Sequence, residues 1–161
     1  MAALARLNGW LARAAEAALV GFMAVIAVIV PYEVFGRYVL GEMPAWSGEA
    51  ATFALVWVTM MGGAAGFRRG YRIGITILYE RLPSGASRAV RIGADVLVLG
   101  FFLVMAVYGA DQALINVRQT SPAMGLPMAV PYAALPVGFA LMFLFTLEET
   151  IRLLQGPIRE G

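Results

Sequence analysis

The 161 residues are 61% hydrophobic and only 14% charged, with a mean hydropathy of +0.79, whereas soluble domains carry about 25% charge. All 12 basic residues are arginine and ten acids leave a net charge of +2, too small an excess to imply a nucleic-acid partner. Cysteine and histidine are both absent, which removes the usual ligands of haem, iron–sulfur clusters, zinc and copper together with the usual catalytic base.

A helix needs about 20 mostly apolar residues to cross hydrocarbon, because every backbone polar group must be satisfied within the segment. Four stretches qualify: residues 16–35, 50–67, 92–110 and 130–151. They predict an all-α integral membrane protein of four transmembrane helices, with residues 1–161 forming one membrane domain. Ahead of the first span, Leu4, Leu7, Trp10 and Leu11 line one side of a predicted helix and Arg6 and Arg13 lie elsewhere. That pattern suits a short amphipathic segment at the membrane interface. The first span exceeds the apolar core of a cleavable signal and no small-residue cleavage motif follows it, so it reads as an uncleaved anchor.

Orientation follows from the arginines. An N-in, C-in topology puts Arg6, Arg13, Arg68, Arg69, Arg72, Arg81, Arg88, Arg91, Arg152 and Arg159 on the cytoplasmic side and leaves Arg37 and Arg118 outside. The reverse topology breaks the positive-inside rule. In the basic loop 68–91, Tyr71, Ile73, Ile77, Leu78 and Leu82 suggest a second segment lying on the bilayer surface. In the first outer loop Tyr38 and Trp46 suit the headgroup zone. The second outer loop, 111–128, is polar and then turns through Pro122, Gly125 and Pro127, which predicts an ordered turn entering the last helix.

Glu33 precedes Arg37 by four residues and reads as an interfacial ion pair in the favoured acid-to-base order. A coupling carboxylate is its functional alternative. Glu49 suits the positive end of the second helix, with Ser47 as its cap, and equally suits a contact to a partner subunit. Gly62 and Gly66 form a G-x-x-x-G step, widened by Gly63, Ala64 and Ala65, that reads as a close-packing face and then as an intersubunit contact. Asp95, four after Arg91, and Glu148 and Glu149, before Arg152, read as solvated ion pairs at helix ends. Pro131 can open the fourth helix, and Pro136 should kink its first turns. The middle of every span is free of charge, so no catalytic or metal-binding constellation is expected, nor any cofactor or enzyme activity.

These residues, taken in order, resemble a known family. Arg37-Tyr38 and Trp46-Ser47-Gly48-Glu49 are followed by Val56-Trp57 and Gly62-Gly63, then by Phe67-Arg68-Arg69-Gly70-Tyr71-Arg72-Ile73-Gly74-Ile75 and Leu82-Pro83. Ser121-Pro122-Ala123-Met124-Gly125-Leu126-Pro127, Tyr132 and Leu135-Pro136-Val137-Gly138 complete the set. Together they are similar to the small membrane subunit of tripartite ATP-independent periplasmic (TRAP) transporters. Family members commonly carry histidine at Arg72, an acid at Thr76 and a second acid at Gly48, so roles attached to those side chains do not carry over.

The resemblance implies a bacterial or archaeal cytoplasmic-membrane location and two protein partners, a large membrane subunit and a periplasmic substrate-binding protein. It implies a non-catalytic scaffold in a sodium-coupled importer of organic acids, typically carboxylates. Arg37, Tyr38, Trp46, Glu49, Trp57, Gly62, Gly66, Arg68, Arg69 and Arg72 are then the candidates for subunit contact or membrane anchoring. The alternative is a small self-sufficient exporter, a homodimer that couples protons through Glu33. A lipid-modifying enzyme would need acids, arginines and a nucleophile or metal ligands gathered at one depth, and histidine and cysteine are absent.

Overall fold

The computed structural model of the chain describes residues 2–42, 44–69 and 84–155. Helix α1 spans Ala2–Phe35, α2 Ala45–Arg68, α3 Ser84–Ile115, α4 Ala129–Tyr132 and α5 Ala134–Gln155. Among the described residues four stretches are long and apolar enough to cross a membrane: Leu4–Leu40, Ala45–Arg68, Gly85–Arg118 and Ala129–Gln155, each containing one predicted span. The protein is thus an all-α, four-span membrane protein. Arg72, Arg159 and the surface segment expected after Arg69 lie outside the described residues.

The separate N-terminal segment expected from the sequence is instead the first turns of α1, one 34-residue helix about 51 Å long at 1.5 Å per residue. Asn8, Ala12 and Ala15 form its buried side, while Leu7 and Trp10 point outward. Small side chains win the packing face because, in lipid, close backbone approach rather than hydrophobicity joins helices.

At its far end α1 widens into a π turn, Gly36–Leu40, closed by Gly41 at φ +70° and by the Glu42 N–H donating to the Gly36 carbonyl at 3.2 Å. A Cβ on Gly36 would stand 3.0 Å from the Glu42 carbonyl oxygen, so this closure requires glycine. Arg37 falls within this π turn and Glu33 within α1. The expected pair between them does not form; the ion pairs among the described residues lie elsewhere.

The last span is interrupted at Ala133, between α4 and α5. Pro136 has no N–H to give the Tyr132 carbonyl, and its ring crowds that turn. Gly109 of α3 packs onto the resulting step, where a Cβ would meet Pro136 Cδ at 3.1 Å. The kink expected at Pro136 is therefore present, and it seats α3.

Neighbour relations place the helices in the order α1, α2, α5, α3, with α1 and α3 making no Cα approach within 8 Å. The α2–α5 seam is the tightest. A Cβ on Gly138 would stand 2.7 Å from Met60 Cβ, and one on Gly63 2.5 Å from Met142 Cε. Ala12, Ala64, Phe102, Met142 and Phe145, drawn from all four long helices, form the core. Phe67 and Phe102 meet edge to face within it, ring centroids 5.0 Å apart.

Candidate functional site

Among the described residues, charge is confined to two layers. From Glu49 to Arg68, α2 climbs about 28 Å at 1.5 Å per residue, close to the roughly 30 Å of a bilayer's hydrocarbon core. No charged residue occurs within 17–32, 50–67, 96–110 or 129–147. The layers are called here the arginine end and the loop end.

At the arginine end the organising group is Glu148 of α5, 2% exposed. Its Oε2 accepts hydrogen bonds from Asn8 Nδ2 of α1 and Arg68 Nη1 of α2, both at 2.7 Å, and Oε1 accepts from Arg152 one turn further along α5. Asn8, fully buried, also donates to the Leu144 carbonyl at 3.1 Å. Arg68 lies over the Phe145 ring, 5.7 Å from its centroid. One carboxylate thereby ties three helices.

The fourth joins through neighbouring groups. Arg91 of α3 pairs with Glu149 at 3.1 Å, and buried Asp95 lies 3.1 Å from the Thr150 hydroxyl. Arg88 donates to the Leu153 and Leu154 carbonyls, satisfying the otherwise orphaned end of α5. Arg69 and Glu16 form a more exposed pair between α2 and α1 at 2.8 Å.

Glu148 and Asp95, expected as solvated pairs, are therefore buried, and Glu148 is a hub. Spacing along one helix revealed the Glu148–Arg152 pair but not the acceptors that Arg68 and Asn8 find across 80 and 140 residues. Asn8 was missed altogether; a polar residue on the small face of an apolar helix, beside Ala12 and Ala15, was the available signal.

At the loop end, Glu49 turns away from its own helix. Its two oxygens accept the Ala123 and Met124 backbone N–H groups at 3.0 and 2.9 Å. The loop they hold is itself a closed turn, as expected, with Ser121 N–H to Leu126 O at 2.8 Å, Met128 N–H to Gln119 O at 2.7 Å and Gly125 at φ +66°. Ser47 does not cap α2, because the helix starts at Ala45 and the hydroxyl donates back to the Pro44 carbonyl at 2.8 Å.

The remaining candidates separate into packed and exposed. Trp57 stacks on Phe22 at 5.5 Å and its Nε1–H donates to the Val130 carbonyl at 3.2 Å, tying α2 to both α1 and α4. Trp46 stacks on Tyr32 at 6.0 Å. Arg37 and Tyr38 are exposed. Gly62 lies against Leu19 of α1, but a Cβ on Gly66 would meet nothing within 4 Å. Within the face expected around the G-x-x-x-G step the closest approach is at Gly63, and on α5 it is at Gly138. No group of three or more acids that could hold a metal occurs among the described residues.

A layered bundle with its ordered motif set can be compared with known proteins. Residues 26–156 match the family described as tripartite ATP-independent periplasmic transporters, DctQ component. The chain belongs to that family. It is 31% identical over 164 residues to the isethionate TRAP transporter permease protein DctMQ of Oleidesulfovibrio alaskensis, covering 94% of this chain and 25% of that one. It is 32% identical over 125 residues to the ectoine TRAP transporter small permease protein TeaB of Halomonas elongata, covering 73% and 64%. It is 34% identical over 102 residues to the C4-dicarboxylate TRAP transporter small permease protein DctQ of Rhodobacter capsulatus, covering 60% and 44%. The chain thus spans between a quarter and just under two thirds of the length of these relatives. It is a TRAP small permease by family and a multi-pass membrane protein by fold.

Proposed function

We propose that the chain is a non-catalytic scaffold in a TRAP-type, sodium-coupled importer of organic acids in a bacterial or archaeal cytoplasmic membrane. It braces a large membrane subunit, which receives the substrate from a periplasmic binding protein. The arginine end is cytoplasmic in this reading, in keeping with the positive-inside rule. One observation carries it: Glu148 and Arg68 at the arginine end join this chain's own helices, Glu49 at the loop end holds this chain's own turn, and the spans between carry no charge.

A transport path needs polar groups at successive depths, and intramembrane charges are the usual mark of one. A scaffold needs the opposite, helices fixed at both ends and apolar flanks for a neighbour. One relative, the DctMQ permease, carries a match to this chain over only 25% of its length, which supports a larger partner for the remainder.

The test is uptake into liposomes under an imposed sodium gradient. The chain alone should accumulate no organic acid. With a large subunit from the same operon and its binding protein, uptake should appear and should fall on omitting this chain. Uptake by the purified chain alone would overturn the reading, as would full uptake by the large subunit without it.

A further inference from the structure

Beside Glu148 a cavity of about 470 Å³ opens at the arginine end, lined by Phe67, Arg68, Phe145, Glu148, Glu149 and Arg152. Each of the two arginines gives one nitrogen to Glu148, Nη1 from Arg68 and Nη2 from Arg152. A guanidinium has five N–H donors, so both retain unused donors at the cavity wall. Their side chains are 28% and 57% exposed, which leaves those donors within reach from outside.

The lining holds two arginines and two carboxylates beside two phenylalanines. Both arginines share Glu148 and Glu149 pairs with Arg91, so the unused guanidinium donors are the groups that would attract an anion. Depth selects the anion: the cavity lies where the uncharged layer of α2 ends, the level at which phospholipid phosphates stand. Basic pockets between membrane helices are suited to lipid head groups.

The geometry points to a phospholipid site here, in which the phosphodiester accepts hydrogen bonds from Arg68 and Arg152 while the glycerol backbone rests on Phe67 and Phe145. The phosphate is the recognised group, so glycerol and ethanolamine head groups are both accepted. The lipid seals the open side of the Glu148 hub and leaves the transport role proposed above untouched.

Native mass spectrometry of the full chain in detergent micelles tests it, with dioctanoyl-phosphatidylglycerol, dioctanoylglycerol and inorganic phosphate as probes. The phospholipid should be retained about tenfold over dioctanoylglycerol, the scale of a charge-assisted hydrogen bond. Arg152→Gln, which preserves the Arg68–Glu148 pair and therefore the fold, should remove about that factor. Arg68→Lys keeps the charge on Glu148 but loses the planar fork, and should also weaken retention. Arg69→Gln, which disrupts the pair with Glu16 away from the cavity, should change nothing. Equal retention of dioctanoylglycerol, or undiminished retention in both cavity variants, overturns the site. Saturable binding of inorganic phosphate with no preference for the diacyl form would assign it to a free anion and overturn the lipid.

Discussion

The two ends of the molecule solve one problem with different materials. At the arginine end, side chains from separate helices converge on a carboxylate withdrawn from solvent, and every partner of Glu148 is itself a side chain. At the loop end, Glu49 is half-exposed and its partners all belong to one turn, the backbone N–H groups of Ala123 and Met124 and the side chain of Ser121. A side-chain hub fixes helices to one another and fails when its acceptor is removed. A carboxylate on a turn fixes only the turn.

Replacing the acceptor gives the largest expected effect. Glu148→Ala strands the Asn8 amide and leaves Arg68 and Arg152 without their shared counter-charge. Fully buried pairs broken in this way cost about 3–5 kcal/mol, and the partial exposure of both arginines reduces the expectation to about 2–3 kcal/mol. Equilibrium unfolding in mixed micelles measures it. A loss below about 0.5 kcal/mol would remove the contrast between the ends.

The seam joining the two ends comes next. Gly138→Ala puts a methyl 2.7 Å from Met60 Cβ, an atom fixed close to its backbone, and should cost about 2 kcal/mol as overpacking. Gly63→Ala makes an even shorter approach, 2.5 Å, but to the mobile end of Met142, and should cost less than half as much. Equal losses would show the seam to be uniformly rigid. Asn8→Leu ranks below both, at about 1 kcal/mol, because interhelical hydrogen bonds in membranes are worth little once the reference state finds partners of its own.

The sequence disclosed what depends on runs of residues along one segment. Four apolar stretches, the turn after Ser121 and the kink at Pro136 all follow from local chemistry, and each is present. Contacts between distant segments were out of reach. Arg68 and Glu148 are charges towards the C-terminal ends of two helices, and only the parallel packing of α2 and α5 makes them partners. The G-x-x-x-G step, widened by Gly63, marked a face that does pack, but not that its closest approach is at Gly63 and to α5, because spacing reports a face that could pack without saying which neighbour arrives. Glu33 and Arg37 have the spacing of a pair and do not form one, which shows that spacing permits a contact without requiring it.

The smallest global effect, and the sharpest test of the contrast, belongs to Glu49→Gln. The shape is retained, but an amide offers one oxygen where two N–H groups need acceptors, and its nitrogen must face a donor. The backbone of Ala123 or Met124 then loses its partner. Neither is part of a membrane-spanning helix, so unfolding of the four helices should be unchanged within error. Protease cleavage between Ser121 and Pro127 should quicken, and amide exchange at Ala123 and Met124 should rise while the Ser121 and Met128 amides, bonded within the turn, stay protected. If instead the whole bundle loosened as it does for Glu148→Ala, the loop-end carboxylate would be part of the helix-fixing apparatus, and the division between the two ends would have to be abandoned.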